Sequence, residues 1–258
     1  MENKISLQSV VPIRLEPSEK VEIITQLLFG ETFLVLETFQ NWIRIKMEYD
    51  NYEGWISENM CHEFKKPLSK RDKICIRKEY QLISKNGSIQ RLSPGSELPN
   101  YDYKTATFQV DEISFQLKEK IPPKNQVIDI ASTARYFLNT PYLWGGRSIW
   151  GIDCSGLVQL VFKINDIKLP RDTYEQVKVG ENVSFISEIK EGDLAFFENK
   201  EGEIIHVGIC LKNNQIIHAH GSVRIDVLDH NGIYNLENSE YSHKLRVIRR
   251  PYTTNTTP

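Results

Sequence analysis

The chain has 258 residues, a formal net charge of −2 at pH 7, 40% hydrophobic residues and 26% charged residues. That is ordinary globular composition, long enough for about two modest domains at roughly 150 residues each, or more if some are small. The balanced charge argues against a nucleic-acid binder, which would normally carry a basic stripe, and no stretch of the sequence reaches the ~18 apolar residues of a membrane span. The start, Met1-Glu2-Asn3-Lys4-Ile5-Ser6, lacks the basic beginning and apolar core of a secretory signal. A cytoplasmic protein is therefore expected, or an exported one if Met1 replaces a removed signal. Cys61, Cys75, Cys154 and Cys210 contain no Cys-x-x-Cys pair, which argues against a disulfide scaffold and against zinc ribbons.

The first sixty residues read as short strands, Val21 to Leu28, Thr32 to Glu37, Trp42 to Met47 and Gly54 to Ile56, separated by turn residues such as Gly30-Glu31 and Asp50-Asn51. Strands at this spacing predict a small barrel over residues 1–64. Residues 65–120 repeat that character through Ile74 to Ile76, Tyr80 to Ile83, Thr105 to Val110 and Ile113 to Leu117, and predict a second barrel from length and pattern, without a repeat of sequence. Residues 121–126 contain two prolines and read as a linker. A helix follows, with Val127, Ile130, Ala131, Ala134, Phe137 and Leu138 on one face, stopped by Pro141. Another runs from Cys154 to Ile164. Strands then come at Asp193 to Phe197, Ile204 to Leu211, Gln215 to Ala219, Val223 to Val227 and Leu245 to Ile248. Helices first and strands afterwards make residues 127–251 an α+β domain, and the polar tail 252–258 is expected to be disordered.

Cys154 lies in Asp153-Cys154-Ser155-Gly156, at the start of its helix rather than on the apolar stripe. There the helix dipole and unpaired backbone N–H groups favour thiolate. His206 shares a strand face with Gly208, and His218 follows on the next strand across the turn Lys212-Asn213-Asn214, so a hairpin can bring the two histidines together. Cysteine, histidine and a polar orienter make the chemistry of a thiol hydrolase. His220, on the same strand face, competes with His218 as orienter. A zinc site from Cys154, His206, His218 and His220 is the formal alternative, and a thiol at a helix cap fits a nucleophile better.

These residues resemble the NlpC/P60 family of cell-wall cysteine peptidases, through Tyr142-Leu143-Trp144-Gly145-Gly146-Arg147, Asp153-Cys154-Ser155-Gly156-Leu157, Leu169-Pro170-Arg171-Asp172-Thr173, Gly192-Asp193-Leu194-Ala195-Phe196-Phe197, His206-Val207-Gly208-Ile209 and Ile217-His218-Ala219. The resemblance implies a papain-like catalytic domain with Cys154 as nucleophile, His206 as base and His218 as orienter, and no cofactor or metal. The stretch from Val21 through Tyr52-Glu53-Gly54-Trp55-Ile56 is similar to the bacterial SH3-like domains that precede this peptidase in one branch. That branch looks like γ-D-glutamyl-L-diamino acid peptidases, which release L-Ala-γ-D-Glu from murein stem peptides. Its first SH3-like domain holds the free amine with a carboxylate and a tyrosine, matched here to Glu22 and Tyr52.

The remaining residues carry expectations of their own. Tyr142 and the backbone N–H of Cys154 are oxyanion donors. Asp153 is a helix cap or a substrate ligand, and Ser155 divides the same way. Arg147 and Arg171 are surface salt-bridge residues, unless one of them clamps the D-Glu carboxylate. Asp172 joins Glu22 as an anion for the amine, and Thr173 lies beside it. Trp144 walls the cleft or, more readily, joins the core. The partner is a murein peptide, with neither nucleic acid nor membrane. An endopeptidase of intact peptidoglycan and a catalytically dead wall-peptide binding module are the competing functions.

Overall fold

The computed structural model describes residues 3–64, 73–83, 87–123 and 129–252. Residues 124–126 of the expected linker, the helix start at Val127 and residues 253–258 of the tail lie outside these. The chain divides into two compact units, residues 1–127 with 144–149 and residues 128–143 with 150–258. Among the described residues no helix is long and apolar enough to cross a membrane.

The first unit is all β and holds two apolar cores. Seven antiparallel strands in the order Ile23–Leu28, Val10–Arg14, Glu53–Ser57, Trp42–Met47, Thr32–Phe39, Asn3–Ile5 and His62–Glu63 surround the first. Strand Trp42–Met47 shows why: Ile43, Ile45 and Met47 alternate into that core while Arg44 and Lys46 face outward, the period of two that a half-buried strand requires. Val10–Arg14 went unexpected because Pro12 sits at its centre. It bonds along its length to Ile23–Leu28 but meets its other neighbour only at Arg14 and Trp55, so a missing N–H is tolerated there. Phe29 leaves the first sheet for the second core, packing edge-on against Phe108 and Phe115 at 5.9 and 5.5 Å. That core lies under the strands Tyr80–Ile83, Ile89–Leu92, Thr107–Val110 and Ile113–Leu117.

The segment 144–149 folds with this first unit, and Arg147 anchors it. Its guanidinium is fully buried and donates to both oxygens of Glu31 at 2.8 Å and to the Gln26 carbonyl at 3.2 Å. Its backbone N–H reaches Gln26 Oε1 at 2.8 Å, and Tyr49 presents its ring at 5.6 Å. Burial works against the charge, and Glu31 more than offsets it, so the guanidinium is held more firmly protonated than usual. Arg147 is thus an interior structural residue, which corrects the surface and carboxylate-clamp readings alike.

The second unit is α+β. Helices Ile130–Arg135, Cys154–Ile164 and Thr173–Gln176 precede strands Glu181–Val183, Leu194–Glu198, Ile204–Leu211, Gln215–His220, Ser222–Leu228, Gly232–Asn235 and Glu240–Arg250. The expected strand at Leu245–Ile248 is eleven residues long, and its length closes the sheet. It pairs with Leu194–Glu198 on one side and with Gly232–Asn235 on the other, leaving a six-stranded barrel with Glu181–Val183 added at the edge. Alternation divides the barrel wall. Ala195, Phe197, Cys210, Ile216, Leu228, Ile233 and Ile248 fill the interior, while Val207, Ile209, Ile217 and Ala219 face outward and are buried where helix Cys154–Ile164 packs on those two strands.

A buried charge deprived of its partner costs about 3–5 kcal/mol. Arg147→Ala, which strands Glu31 in the first unit, is expected to lower stability by that amount in urea unfolding. The double variant Arg147→Met/Glu31→Leu should be more stable than Arg147→Ala.

Candidate active site

Helix Cys154–Ile164 begins at a buried polar cluster. Asp153 caps it, accepting from the Gly156 N–H at 2.6 Å. Arg171 grips the same carboxylate with both terminal nitrogens, at 3.0 and 2.6 Å, and donates to Ser155 Oγ at 2.7 Å. Arg171 is only 2% exposed, so the surface and substrate-clamp expectations for it are corrected: its fork is already occupied by Asp153. Of the two roles left open for Asp153 and Ser155, the geometry displays the structural one.

Cys154 is the first residue of that helix and is buried. Burial, followed by the neighbouring Asp153 charge, pushes its thiol from 9.0 up to about 12, against the Val207 and Ser155 backbone amides and Arg171, which pull it down. Burial and the Asp153 charge thus oppose the helix-head thiolate expected from the dipole. The Val207 amide at the sulfur places Cys154 against the strand bearing His206.

The two histidines meet through the hairpin. Asn213 and Asn214 take left-handed φ of 59° and 55° in the turn, a region in which asparagine is enriched, and the register sets Gly208 opposite His218. A Cβ on Gly208 would stand 3.0 Å from the His218 Cβ and 2.6 Å from Ile216 Cδ1, so the glycine makes room for the second histidine. His206 Nε2 then lies 2.8 Å from His218 Nδ1, and His218 Nε2 lies 2.9 Å from Asp226 Oδ2. Arg224 holds Asp226 through Nε at 2.8 Å and Nη2 at 3.0 Å. Burial, then the charges of His243, His218 and His220, holds His206 well below the ordinary imidazole range. His220 is exposed, its ring 6.3 Å from that of His218; His218 makes the bond to His206.

Sequence reasoning missed Asp226, Arg224 and His243. The first two alternate with Val223, Ile225 and Val227 on the expected strand, a charged face that could have been noticed. His243 lies in the part of the last strand that was read too short. Its ring stacks on that of His206, centroids 4.1 Å apart and planes 21° apart.

The remaining expected residues belong to both units. Tyr142 is partly exposed; burial and then the charges of Cys154 and Asp153 raise its hydroxyl to about 12, so it stays a donor. Asp172 and Thr173 are half-buried at the start of helix Thr173–Gln176. In the first unit, Glu22 is exposed just before strand Ile23–Leu28, and Tyr52 packs on the first barrel core. Trp144 is 63% exposed, which overturns its core reading.

Ring nitrogens of His206, His218 and His243 come within 4.8 Å of one another, the one such group among the described residues. They do not suit a metal as arranged. A nitrogen lone pair lies in its ring plane, and the nearly parallel, stacked planes of His206 and His243 cannot both contain one ion.

The helix-head thiol and the bonded histidine pair are the groups that a cysteine peptidase requires. Residues 139–246 match the NlpC/P60 family, and residues 13–59 match the bacterial dipeptidyl-peptidase SH3 domain. The chain belongs to the NlpC/P60 family. It is 32% identical over 170 residues to the murein DD-endopeptidase MepS/murein LD-carboxypeptidase of Escherichia coli (strain K12), covering 65% of this chain and 85% of that protein. It is 29% identical over 249 residues to the γ-D-glutamyl-L-lysine dipeptidyl-peptidase of Bacillus subtilis (strain 168), covering 90% and 82%. The crystal structure of an NlpC/P60 family protein from Bacillus cereus ATCC 10987 shares the fold, with a TM-score of 0.78 at 20% identity over 96% of this chain and 99% of that one.

A raised thiol and a lowered imidazole have a signature in pH. Alkylation of Cys154 by iodoacetamide, followed by mass spectrometry of its peptide, is expected to be slower at pH 7 than that of free cysteine and still rising above pH 9.0, towards the raised value near 12. Because the histidine value is lowered, His206 is neutral at pH 6.5 and above, and the acid limb of kcat/KM should fall below pH 6.5. A reactivity plateau from pH 5 upward would instead reveal a thiolate–imidazolium pair.

Proposed function

We propose that the protein hydrolyses the γ-D-glutamyl–diamino acid bond of murein stem peptides that carry a free N-terminal L-Ala, releasing L-Ala-γ-D-Glu for cell-wall peptide recycling. The observation that carries this reading is the likeness to a γ-D-glutamyl-L-lysine dipeptidyl-peptidase across 249 residues, which spans both units rather than the peptidase domain alone.

In this reading Cys154 is the nucleophile. As its sulfur adds to the γ-carbonyl carbon, the thiol proton passes to Nδ1 of His206, the ring nitrogen not engaged by His218. The oxyanion meets the Cys154 backbone N–H, which has no acceptor within the helix, and the Tyr142 hydroxyl. One such donor is typically worth ~3 kcal/mol in the transition state. Collapse breaks the C–N bond while His206 returns the proton to the departing amine, leaving a thioester. Water then attacks the thioester, giving its proton to His206, and the sulfur leaves and is reprotonated. A desolvated ammonium needs a paired anion, since stripping its water alone costs several kcal/mol; Glu22 and Asp172, with Tyr52, are the groups proposed for it.

The likeness to a murein DD-endopeptidase supports a second reading, cleavage within intact peptidoglycan. Mass spectrometry on L-Ala-γ-D-Glu-L-Lys, the diaminopimelate analogue, their N-acetylated forms and whole peptidoglycan separates the two. Cleavage of the free-amine peptides alone, abolished by Cys154→Ala and with KM raised about tenfold by Glu22→Gln, is the expected result. Equal cleavage of acetylated peptide or wall would replace it with the endopeptidase. No cleavage by the unaltered protein would overturn both.

A further inference from the structure

Asp226 is buried eight residues beyond His218, on a strand to which the reading above gives no role. The His218 strand pairs with it so that His218 faces Arg224, and Asp226 stands diagonally across, inside the barrel. A carboxylate can only accept hydrogen bonds, and a neutral imidazole has one N–H and one bare nitrogen. Those two facts fix every proton along the chain.

Burial pushes the Asp226 carboxyl upward, but bonds from His218 and Arg224 hold it below the ordinary carboxylate range, so it is ionised. Arg224 is itself fixed by Glu237 at 3.1 Å and Asn235 at 3.3 Å. An ionised Asp226 leaves His218 Nε2, 2.9 Å away, only the donor role. His218 Nδ1 is then bare and accepts. His206 Nε2, 2.8 Å from it, must donate, which leaves His206 Nδ1 with a free lone pair. A base that takes the thiol proton needs that lone pair. The opposite tautomer of His218 would turn both rings over electronically, putting an N–H where the proton has to go.

We propose that Asp226, held by Arg224, is a positioning residue that sets the tautomers of His218 and, through it, of His206, and so keeps the base ready for Cys154. The proposal rests on His206 being the base and extends the site by one member. An asparagine in its place reverses the chain if its amide nitrogen turns to His218 and its oxygen to Arg224.

Long-range nitrogen–proton NMR of histidine-labelled protein reports which ring nitrogen carries the proton, with signals assigned from His206→Gln and His218→Gln. In the unaltered protein at pH 7.5, both rings are expected to show N–H at Nε2. In Asp226→Asn the His218 proton should move to Nδ1, and kcat should fall by about 10³-fold or more, as for a base locked in its wrong tautomer, with KM changed less than threefold. His218 protonated at Nδ1 in the unaltered protein would overturn the proposal. So would an Asp226→Asn variant that keeps kcat within twofold, or one that loses activity with both tautomers unchanged, which would mark a merely structural role. If the unaltered protein cleaves no murein peptide, the substrate reading fails, and the tautomer measurement still decides this one.

Discussion

The clasp of Arg171 on Asp153 is the constraint on which the site depends. One carboxylate caps the helix, neutralises a buried guanidinium and borders Cys154. Such a pair stabilises little beyond what its own desolvation costs, yet its geometry is demanding, so its effect is to fix the helix head. The same placement has an electrostatic consequence for the sulfur. A helix dipole favours an anion at its N-terminus by ~0.3–2 kcal/mol. Raising the thiol from 9.0 to about 12 opposes ionisation by about 4 kcal/mol. At the sulfur, burial and Asp153 thus act against the dipole, and in the proposed mechanism the neutral His206 is the group that takes the thiol proton.

The interior of the barrel has two tiers. Apolar side chains occupy one part, from Ala195 and Cys210 to Ile248, while His206, His218, Asp226, His243 and Asn235 gather in the other. A buried polar network is costly if any member lacks a partner and rigid if all have one. Here each step ends in another, from His206 through His218 and Asp226 to Arg224, and from Arg224 to Asn235 and Glu237. The closing strand Glu240–Arg250 belongs to both tiers, contributing Ile248 to the first and His243 to the second.

What the sequence displayed and what it concealed divide along physical lines. Helix Cys154–Ile164 and strand Ile204–Leu211 were readable to the residue, because local periodicity suffices for an element with one consistent face. The hairpin between the histidines was readable from its turn, but its register was not, and register decided between His218 and His220. Arg147 and Arg171 looked like surface residues because charge usually is. Their burial depends on Glu31, 116 positions away, and on Asp153, 18 positions away, pairings no local pattern contains. Val10–Arg14 was hidden by Pro12, and the charged face of Arg224 and Asp226 was visible while its register against His218 was not.

His243 completes the restraint on the His206 ring. The bond to His218 acts at the edge of the His206 ring and fixes rotation within its plane. It leaves tilt of that plane less constrained. The His243 ring, stacked at 4.1 Å, and the Phe197 ring at 5.9 Å limit tilt from outside the plane. A stacked ring can do so without competing for the proton, because its own nitrogens point along a parallel plane. Burial, reinforced by His218 and His220, lowers His243 to about 4, so at neutral pH it adds no positive charge beside the His206 ring. In-plane bonding that sets proton position and out-of-plane stacking that sets orientation are thus supplied by different residues, and each can do its part without opposing the other.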